Sequence, residues 1–565
     1  MHHQNLRFYF IISLLCFVCI ISCNNKKGNN KIVSDPAKMD KETGKRIQLA
    51  LEFAMQHKGD VDDSLQLKLP AVVNSFYNKN DYENIWSHKA KWNSITDTLI
   101  NFIEMGELYG LFPKDYQLKK IRSLKNLLDR DSLKRMDADL WTRADLMLTD
   151  GFMHLIKDLQ VGRLDEDSVY INKKDTAAKQ EMYVTSLNAL ISNKNITEIV
   201  KNVEPKHKGY EDLKNCIPAF LAKMDKKEYT YVKYPYKANN VKDSLLFIKT
   251  IQKRLKESDT ANRAVVFDST QLKIAIKKFQ KKKGINPDGK VSAALVKIMN
   301  MSDVERFKRI VITLDRYKQL PSVMPEKYIW VNLPGYYLKV WDHDTIAIQS
   351  KIICGKPETR TPLLYSVISD MIIYPTWTVP SSIISKQYLP KLKNNPNYLT
   401  GLGLRLQNAK GETVNPYEIN WNKYSKGIPF KVVQASGDDN ALGIMKFNFN
   451  NPYSVYLHDT NQRYLFKNAA RALSHGCVRV QQWQELAFFI ADNDSVNLKP
   501  GEKQRYNKDS IINWLAIKEK RRIGVKSGIP LFIAYFSCEA KDGKIKFYDD
   551  IYADDKLKRE NYFSK

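Results

Sequence analysis

Apolar residues recur at steps of three and four along the first half of the chain, whereas β-branched and aromatic residues are frequent in the second half. The helical pattern runs from about 46 to 235 and is clearest over 138–159, where one apolar face is expected. Asp145, Asp150 and Asp158 lie among these positions with His154, and a solvated helix face explains them more simply than a metal site. Strand patterns begin near 328. These patterns predict an α+β multidomain protein.

A small module over 241–302 has the pattern of three short amphipathic helices. Leu245, Leu272 and Leu295 each stand in a run of apolar residues at helical spacing. The sequence Asn-Pro-Asp-Gly at 286–289 is a turn signal between the second and third helices.

Residues 1–22 predict a signal peptide, because a short basic stretch precedes an apolar run that is too short to span a bilayer comfortably. The run ends at Ser22 and Cys23 in a sequence that resembles a bacterial lipobox, with Cys23 as the lipidated residue. Lipidation would anchor the chain to a membrane. A plain secretory signal and an uncleaved anchor are the alternatives. Residues 23–45 are polar and lysine-rich, and they are expected to form a tether.

The composition is that of a folded protein with several domains. The chain has 565 residues, of which 43% are hydrophobic and 27% charged. Its formal net charge of +28 suits nucleic acid, an anionic membrane or an acidic polymer, although solvated lysine faces explain the charge equally well. Secretion argues against nucleic acid. The cysteines are widely spaced, and in an oxidising compartment Cys354 and Cys538 could form a disulfide.

The candidate chemistry lies between 456 and 479. Cys477 needs a base to form the thiolate that attacks a substrate, and His458 and His475 are the imidazoles nearby in sequence. His475 lies two residues before Cys477, and His458 could reach it from a neighbouring strand. Gly476 would let a substrate carbonyl approach backbone N–H groups. A lone cysteine is more often an inert buried residue, so the argument depends on the whole arrangement.

This arrangement resembles the signature of the L,D-transpeptidases, the YkuD-type enzymes of bacterial cell walls. In that family a His precedes a spacer of this length, which is followed by Ser/Thr-His-Gly-Cys, a hydrophobic residue, and Asn or Arg. The corresponding positions here are His458, the Ser-His-Gly-Cys of 474–477, Val478 and Arg479. A signature of this length is far more specific than a bare Cys-His pair.

Other segments resemble the large periplasmic, YcbB-like members of the family. Segments 75–86 and 148–163 resemble their scaffold domain, 279–289 resembles a three-helix peptidoglycan-binding domain, and 374–383 resembles the stretch before their insertion. The resemblance implies this order: signal peptide 1–22, tether 23–45, helical scaffold domain 46–240, peptidoglycan-binding-like bundle 241–302, linker helix 303–325, mainly β catalytic domain 326–500 with a lid insertion at about 384–433, and a C-terminal helix and strand, 501–565, packed on the catalytic domain.

The resemblance also implies roles for individual residues. Cys477 would be the nucleophile and His458 the proton donor and acceptor, oriented by the backbone carbonyl of Asp459 or by its carboxylate. The residues that would shape the nucleophile loop and the oxyanion site are Ser474, His475 and Gly476. The candidate substrate contacts are Arg479, Tyr456, Asp459 and Trp377. No metal and no organic cofactor is implied.

The implied reaction is acyl transfer on peptidoglycan stem peptides. A stem tetrapeptide would lose D-alanine and be transferred to a diaminopimelate amine, which gives 3–3 cross-links at the periplasmic face of a bacterial membrane. An L,D-carboxypeptidase or hydrolase would use the same residues, and a wall-binding lipoprotein without activity is the other alternative. Intact His458 and Cys477 argue against the latter. The acceptor, the membrane that holds the anchor and the oligomeric state stay open.

Overall fold

The computed structural model describes residues 32–164, 176–234, 241–259, 268–284, 286–498, 501, 503 and 505–563. The signal peptide, Cys23 and the start of the tether lie outside these ranges. The chain divides into two compact units, one of 1–162 with 172–204 and one of 163–171 with 205–565. The boundary at 204 thus falls inside the range predicted for the scaffold domain. Within the described ranges, every helix is too short or too polar to cross a bilayer.

The first unit is mainly helical. Its elements are α1 (Met39–Gln56), β1 (Asp60–Asp62), β2 (Leu65–Gln66), α2 (Pro70–Lys79), β3 (Ser87–His88), β4 (Lys91–Trp92), α3 (Ser94–Glu104), α4 (Leu118–Arg130), α5 (Ser132–Arg135), α6 (Ala138–Gln160), α7 (Thr176–Asn193) and α8 (Ile196–Val203). Helix α1 begins inside the predicted tether, because Met39 and Thr43 are buried and belong to the folded body. Helix α6 confirms the helix predicted over 138–159 and supplies much of the unit's apolar core.

Three aspartates of α6 are buried, so the predicted solvated face is wrong. Asp145 accepts hydrogen bonds from the hydroxyl of Tyr77 and from two backbone N–H groups. Asp150 accepts from two backbone N–H groups just before α2, and Asp158 accepts from the hydroxyl of Tyr116. Hydrogen bonds of this kind make a buried carboxylate tolerable, and here they fix loops to the helix. The described residues contain no cluster of His, Cys, Asp and Glu that could hold a metal ion.

The second unit begins with a run of helices. They are α9 (Lys208–Asn215), α10 (Ile217–Leu221), α11 (Val241–Ser258), α12 (Ser269–Lys282), α13 (Ala293–Met299) and α14 (Asp303–Lys318). Helices α11 to α13 form the predicted three-helix bundle around an apolar core that includes Ile251, Phe279 and Met299. The side chain of Gln280 fixes the predicted turn, since it donates to the carboxylate of Asp288 and accepts from the N–H of Gly289, each at 2.8 Å.

Strands dominate the rest of the second unit. They are β5 (Lys327–Asn332), β6 (Tyr337–Asp342), β7 (Thr345–Gly355), β8 (Leu364–Ile373), β9 (Trp377–Thr378), β10 (Leu404–Gln407), β11 (Thr413–Val414), β12 (Lys431–Gln434), β13 (Met445–Phe449), β14 (Leu457–His458), β15 (Ala472–Ser474), β16 (Val478–Val480), β17 (Arg521–Gly524), β18 (Pro530–Ala534), β19 (Cys538–Lys541) and β20 (Lys544–Phe547).

The main sheet has ten strands and closes on itself. Its order is β13-β14-β16-β7-β6-β5-β18-β8-β17, with β15 beside β7, and β13 also pairs with β8. The sheet is mixed, because β14 runs parallel to β16 and β18 runs parallel to β5 while most other pairs are antiparallel. Closure leaves β13 and β14 with a neighbour on each side, so the strands that carry the candidate site are held from both edges.

The lid insertion predicted over about 384–433 is a folded subdomain. Four strands form a separate sheet in the order β11-β10-β12-β9. The helical start consists of α15 (Ser381–Ile383), a π-helical turn (Ile384–Tyr388) and α16 (Leu389–Leu392). Leu392, Leu406 and Trp421 belong to an apolar core of its own. Short elements spread these residues too thinly for a periodic signal in the sequence.

The C-terminal segment is part of the catalytic sheet. Strand β18 lies between β5 and β8. The remaining helices are α17 (Trp483–Val496), α18 (Lys508–Ala516) and α19 (Asp554–Tyr562). Asp555 of α19 forms buried ion pairs with Arg309 and Arg316 of α14, at 2.9 and 2.7 Å, so α14 is a core helix rather than a simple linker. Cys354 and Cys538 are both buried and free, so the disulfide considered from the sequence is not formed.

Candidate active site

The candidate site lies on one face of three adjacent strands. β13 pairs with β14, which places Lys446 opposite His458, and β14 pairs with β16, which places His458 opposite Arg479. Tyr456 and Cys477 immediately precede the paired Leu457 and Val478, and the N–H of Val478 donates to the carbonyl of Tyr456 at 3.1 Å. Side chains alternate along a strand, so these residues share a face.

The opposite face of the same strands is core. Phe447, Leu457 and Val478 are opposite one another in register and are almost completely buried. Their apolar side chains fix which face turns outward, since a slip of one residue would put them into the cleft. The alternation of apolar core residues with polar site residues along these strands therefore positions the whole site.

His458 is buried, and the surroundings of its imidazole ring differ from one side to the other. The backbone carbonyls of Asp459 and Leu442 lie against the ring and raise its pKa, whereas Nδ1 has no hydrogen-bond partner among the described residues. With the ring hydrogen on Nε2, the unpartnered Nδ1 is the nitrogen that can take up a proton. Desolvation and the cation of Arg479 outweigh the carbonyls and lower the pKa of His458 to about 3.

The carboxylate of Asp459 is engaged elsewhere. It forms an ion pair with Arg463 at 2.5 Å, and it accepts from the N–H of Ile444 at 3.0 Å. Of the two orienting groups that the sequence left open, the structure therefore brings the backbone carbonyl to the His458 ring. The side chain instead fixes the turn before β13.

Cys477 is partly exposed and lies beside the hydroxyl of Tyr456, with which it forms a hydrogen bond. Desolvation raises the pKa of the Cys477 thiol, while the Tyr456 hydroxyl and the cations of Lys446 and Arg479 oppose this rise. The same two cations lower the pKa of His458. The resting pair is therefore a neutral thiol and a neutral imidazole, in surroundings that favour a thiolate over an imidazolium.

Side chains on both sides hold the nucleophile loop. The hydroxyl of Ser474 donates to the carbonyl of Cys477 at 2.6 Å and accepts from the N–H of Gly476 at 3.2 Å. Gly476 has a φ of +122°, which a side chain would strain. Since Ser474 takes the Gly476 N–H, the Cys477 N–H is the donor left for an oxyanion, and it has no acceptor in the described part of the chain.

Two threonines that sequence reasoning missed complete this loop. The buried hydroxyl of Thr361 donates to the carbonyl of Gly476 at 2.8 Å and accepts from the N–H of Gly355 at 2.9 Å. Thr359 donates to the carbonyl of Ser474 at 3.0 Å. Neither threonine is among the site residues predicted from the sequence. These contacts tie the nucleophile loop to the end of β7.

His475 does not join the base. It is exposed, and its Nε2 lies 2.5 Å from the side-chain amide of Gln387, in the π-helical turn of the insertion. The positive φ of Gly476 breaks the extended path that would have placed His475 and Cys477 on one face. Desolvation, with Lys356 and Arg479, lowers the pKa of His475, so its ring is neutral and can accept from the amide.

The remaining candidates lie around the cleft. Trp377, at the start of β9, hydrogen-bonds the hydroxyl of Tyr456 and so lies near Cys477, while its part as a substrate contact stays a prediction. Arg479 donates to the side chain of Gln462 at 3.1 Å, and its Nε has no partner within the described residues. The Arg479 guanidinium therefore keeps hydrogen-bonding capacity for a substrate anion.

Models of known families match three parts of the chain. Residues 71–216 match a scaffold domain, residues 247–299 match a peptidoglycan-binding domain, and residues 326–498 match the L,D-transpeptidase catalytic domain. These ranges correspond to the helical first part, the three-helix bundle and the closed sheet with its insertion.

A curated relative and two solved structures are similar to parts of the chain. A protein of Haemophilus influenzae that is named for L,D-transpeptidase is 33% identical over 249 residues, which are 44% of this chain and 48% of the relative. The match thus spans about half the length of that relative. The structure described as the Ldtfm-avibactam carbamoyl enzyme is 11% identical over 42% of this chain and 64% of that one, with a TM-score of 0.18. An L,D-transpeptidase (Yku) from Stackebrandtia nassauensis is 15% identical over 54% and 97%, with a TM-score of 0.15. TM-scores this low carry no structural argument.

Proposed function

Because residues 326–498 are an L,D-transpeptidase catalytic domain, in a chain that also carries a peptidoglycan-binding domain, we propose that this protein forms 3–3 cross-links in peptidoglycan by acyl transfer through Cys477. The observation that carries the proposal is the gathering of Cys477, Tyr456, His458 and Arg479 on one face of adjacent strands. Acyl transfer needs a nucleophile, a base and a donor for the oxyanion, and this face offers all three.

In the first half of the reaction, Sγ of Cys477 attacks the carbonyl of the diaminopimelate residue that precedes D-alanine in a stem tetrapeptide. Nδ1 of His458 takes the thiol proton as the C–S bond forms. The N–H of Cys477 faces the developing oxyanion. The C–N bond to D-alanine then breaks, and the imidazolium returns its proton to the leaving amine. A thioester remains on Cys477.

In the second half, the side-chain amine of a diaminopimelate residue on another stem attacks the thioester. A new amide bond forms, the C–S bond breaks, and the amine's proton returns to the thiolate by way of His458. Arg479 is placed to hold a carboxylate of the stem peptide with a planar, two-pronged set of donors. Water in place of the amine would give an L,D-carboxypeptidase with the same first half.

We further propose that Cys23 is lipidated and that the protein acts at the periplasmic face of a bacterial membrane. Support comes from the sequence of 1–23, in which a short apolar run ends at a small residue followed by Cys. Mass spectrometry of the N-terminal peptide of the membrane-extracted protein tests this directly. Acyl chains on a new N-terminus at Cys23 are expected, and an unmodified or uncleaved N-terminus would reject the proposal.

The function is tested by incubating the protein with a diaminopimelate tetrapeptide and following both the intact protein mass and the released peptides. A thioester on Cys477 and a peptide dimer that has lost one D-alanine are expected. Cys477→Ala should give neither product while it keeps the circular dichroism of the parent. Tripeptide and D-alanine without dimer would identify the carboxypeptidase. A Cys477→Ala protein that still cross-links would refute the assignment of the nucleophile.

A further inference from the structure

Lys446 is a half-buried lysine that the proposed reaction has not used. It lies on β13, directly opposite His458 and on the face that carries Tyr456 and Cys477. Its Nζ lies 4.0 Å from the centroid of the Tyr456 ring. Among the described residues, no carboxylate forms an ion pair with this ammonium. An unpaired charge that is partly desolvated costs free energy, so other contacts must stabilise the ammonium of Lys446.

The carboxylate that acts on Lys446, that of Asp370, already has other partners. Asp370 on β8 accepts from the guanidinium of Arg522 at 3.1 and 3.2 Å and from the amide of Asn448 at 2.7 Å. Asp370 therefore contributes only a longer-range attraction to Lys446. What Lys446 contacts directly is the electron-rich face of a tyrosine ring, a favourable site for a cation.

The ring under Lys446 is the one whose hydroxyl reaches the nucleophile. Tyr456 hydrogen-bonds Cys477 through its hydroxyl, and a cation over the ring withdraws electron density from that hydroxyl. A hydroxyl polarised in this way is a better hydrogen-bond donor. The cation of Lys446 also acts on the sulfur through space, and in return the sulfur raises the pKa of Lys446 against the effect of burial.

We propose that Lys446 is a positioning residue of the acyl-transfer site: held against the ring of Tyr456, it strengthens the hydrogen bond that this hydroxyl donates to Sγ of Cys477 and stabilises the anion that forms there. The inference rests on the proposed function only in that Cys477 is taken as the nucleophile. Lys446 acts through Tyr456 and the local potential, and it does not take or give a proton.

Charged and titratable groups face Cys477 and Lys446 from each neighbouring element. They are Lys446 on β13, Tyr456 and His458 on or beside β14, Arg479 on β16, Asp370 on β8, Arg522 on β17, and His475 with Lys356 on the loops at the end of β7 and before β16. Near neutral pH the histidines are uncharged, because desolvation lowers the pKa of both. The two lysines and the two arginines are then the positive groups, and Lys446 is the one that lies over the Tyr456 ring and can be replaced without touching Arg479.

The test measures the reactivity of Cys477 without any peptidoglycan. The full chain is treated with iodoacetamide from about pH 6 to about pH 10, and modification of the Cys477 peptide is followed by mass spectrometry. Lys446→Met should raise the pKa of the Cys477 thiol. A rise of about one pKa unit would slow alkylation near neutral pH by about tenfold. Lys446→Arg should stay close to the parent. The matched control is Lys339→Met, which removes a lysine 4.7 Å from the ring of Tyr337 and should change nothing.

A double-mutant cycle isolates the route through Tyr456. If Lys446 acts through the hydroxyl, Lys446→Met should slow alkylation less in a Tyr456→Phe background than in the parent. Equal slowing in both backgrounds would overturn that route. If Lys446→Met fails to fold, Lys446→Gln and the arginine variant provide the same comparison of charge removed against charge kept.

A substrate-binding role for Lys446 gives a different result. In that case Lys446→Met would leave the alkylation profile unchanged and would raise KM for a donor peptide, whereas the proposal expects a lower acylation rate constant with little change in KM. An unchanged alkylation profile overturns the proposal whatever happens to KM. Because alkylation needs no cross-linking, the readout stands even if the enzyme proves to be a hydrolase.

Discussion

Replacing Thr361 with valine should loosen the nucleophile loop, although Thr361 lies more than a hundred residues before that loop in the sequence. Thr361 is 2% exposed, and its hydroxyl connects the N–H of Gly355 at the end of β7 to the carbonyl of Gly476. Valine has nearly the same shape but no hydroxyl. The variant therefore leaves the N–H of Gly355 and the carbonyl of Gly476 without their partner while it changes the packing little.

The expected size follows from those two groups. A buried backbone group left without its partner costs about 1–3 kcal/mol, so two of them together cost about 2–4 kcal/mol once some relaxation is allowed. Gly476 precedes Cys477, so its displacement also moves the sulfur relative to His458. A misplacement of about 1 Å costs about a hundredfold in rate, and we expect thioester formation to slow by tenfold or more, on the order of that effect.

Hydrogen exchange of the peptide 472–480 as a function of urea reports the local stability, and intact mass after mixing with donor peptide reports the acylation rate. The matched control is Thr359→Val. Thr359 is half-buried, and the carbonyl of Ser474 that it contacts also accepts from the N–H of Lys356 at 3.0 Å, so no backbone group is left unpaired. The control should lose about 1 kcal/mol or less. Equal losses in the two variants, or parent-like exchange in Thr361→Val, would refute the reasoning.

Two further predictions concern the base. The rate of thioester formation should not fall as the pH is lowered through 6.5. The base is the neutral ring of His458, and its lowered pKa, about 3, keeps the ring neutral at all pH values above that. A stopped-flow pH profile in which the rate falls towards acid with a midpoint near 6.5 would contradict this. Gly443→Ala should slow acylation by about tenfold or more, since the added Cβ would lie 2.5 Å from Cγ of Asp459, next to the base, at a φ of +65°. Gly411→Ala, with a φ of +86° and open space around it, carries the same backbone strain without the clash and should acylate like the parent.

Alternation of residues predicted only part of the site. It placed Tyr456 on the face of His458 correctly, but it also paired His475 with Cys477, whereas His475 contacts Gln387 of the insertion. The register of β14 with β16 is what brings Cys477 and Arg479 beside Tyr456 and His458. The family signature was needed to choose Cys477 among the cysteines. The three-helix bundle and the mainly β domain also follow from periodicity.

What the sequence could not supply are partners set by long-range folding. Thr361 and Gly476 lie 115 positions apart, and a single threonine carries no signal of its own. Lys446 is one lysine among many, and only strand register reveals that it faces His458. The buried aspartates of α6 were misjudged for a related reason. A carboxylate that caps a distant loop is indistinguishable in sequence from one that faces water.

The place of β18 has a consequence for how the protein is made. Residues 530–534 lie between β5 and β8, so the closed sheet lacks an inner strand until synthesis has passed residue 534. A product shortened by a late stop codon, or clipped near residue 525, would lose a strand from within the ring and expose two unpaired strand edges. Chains that end before β18 would therefore carry a complete Ser-His-Gly-Cys sequence without the closed sheet that positions it.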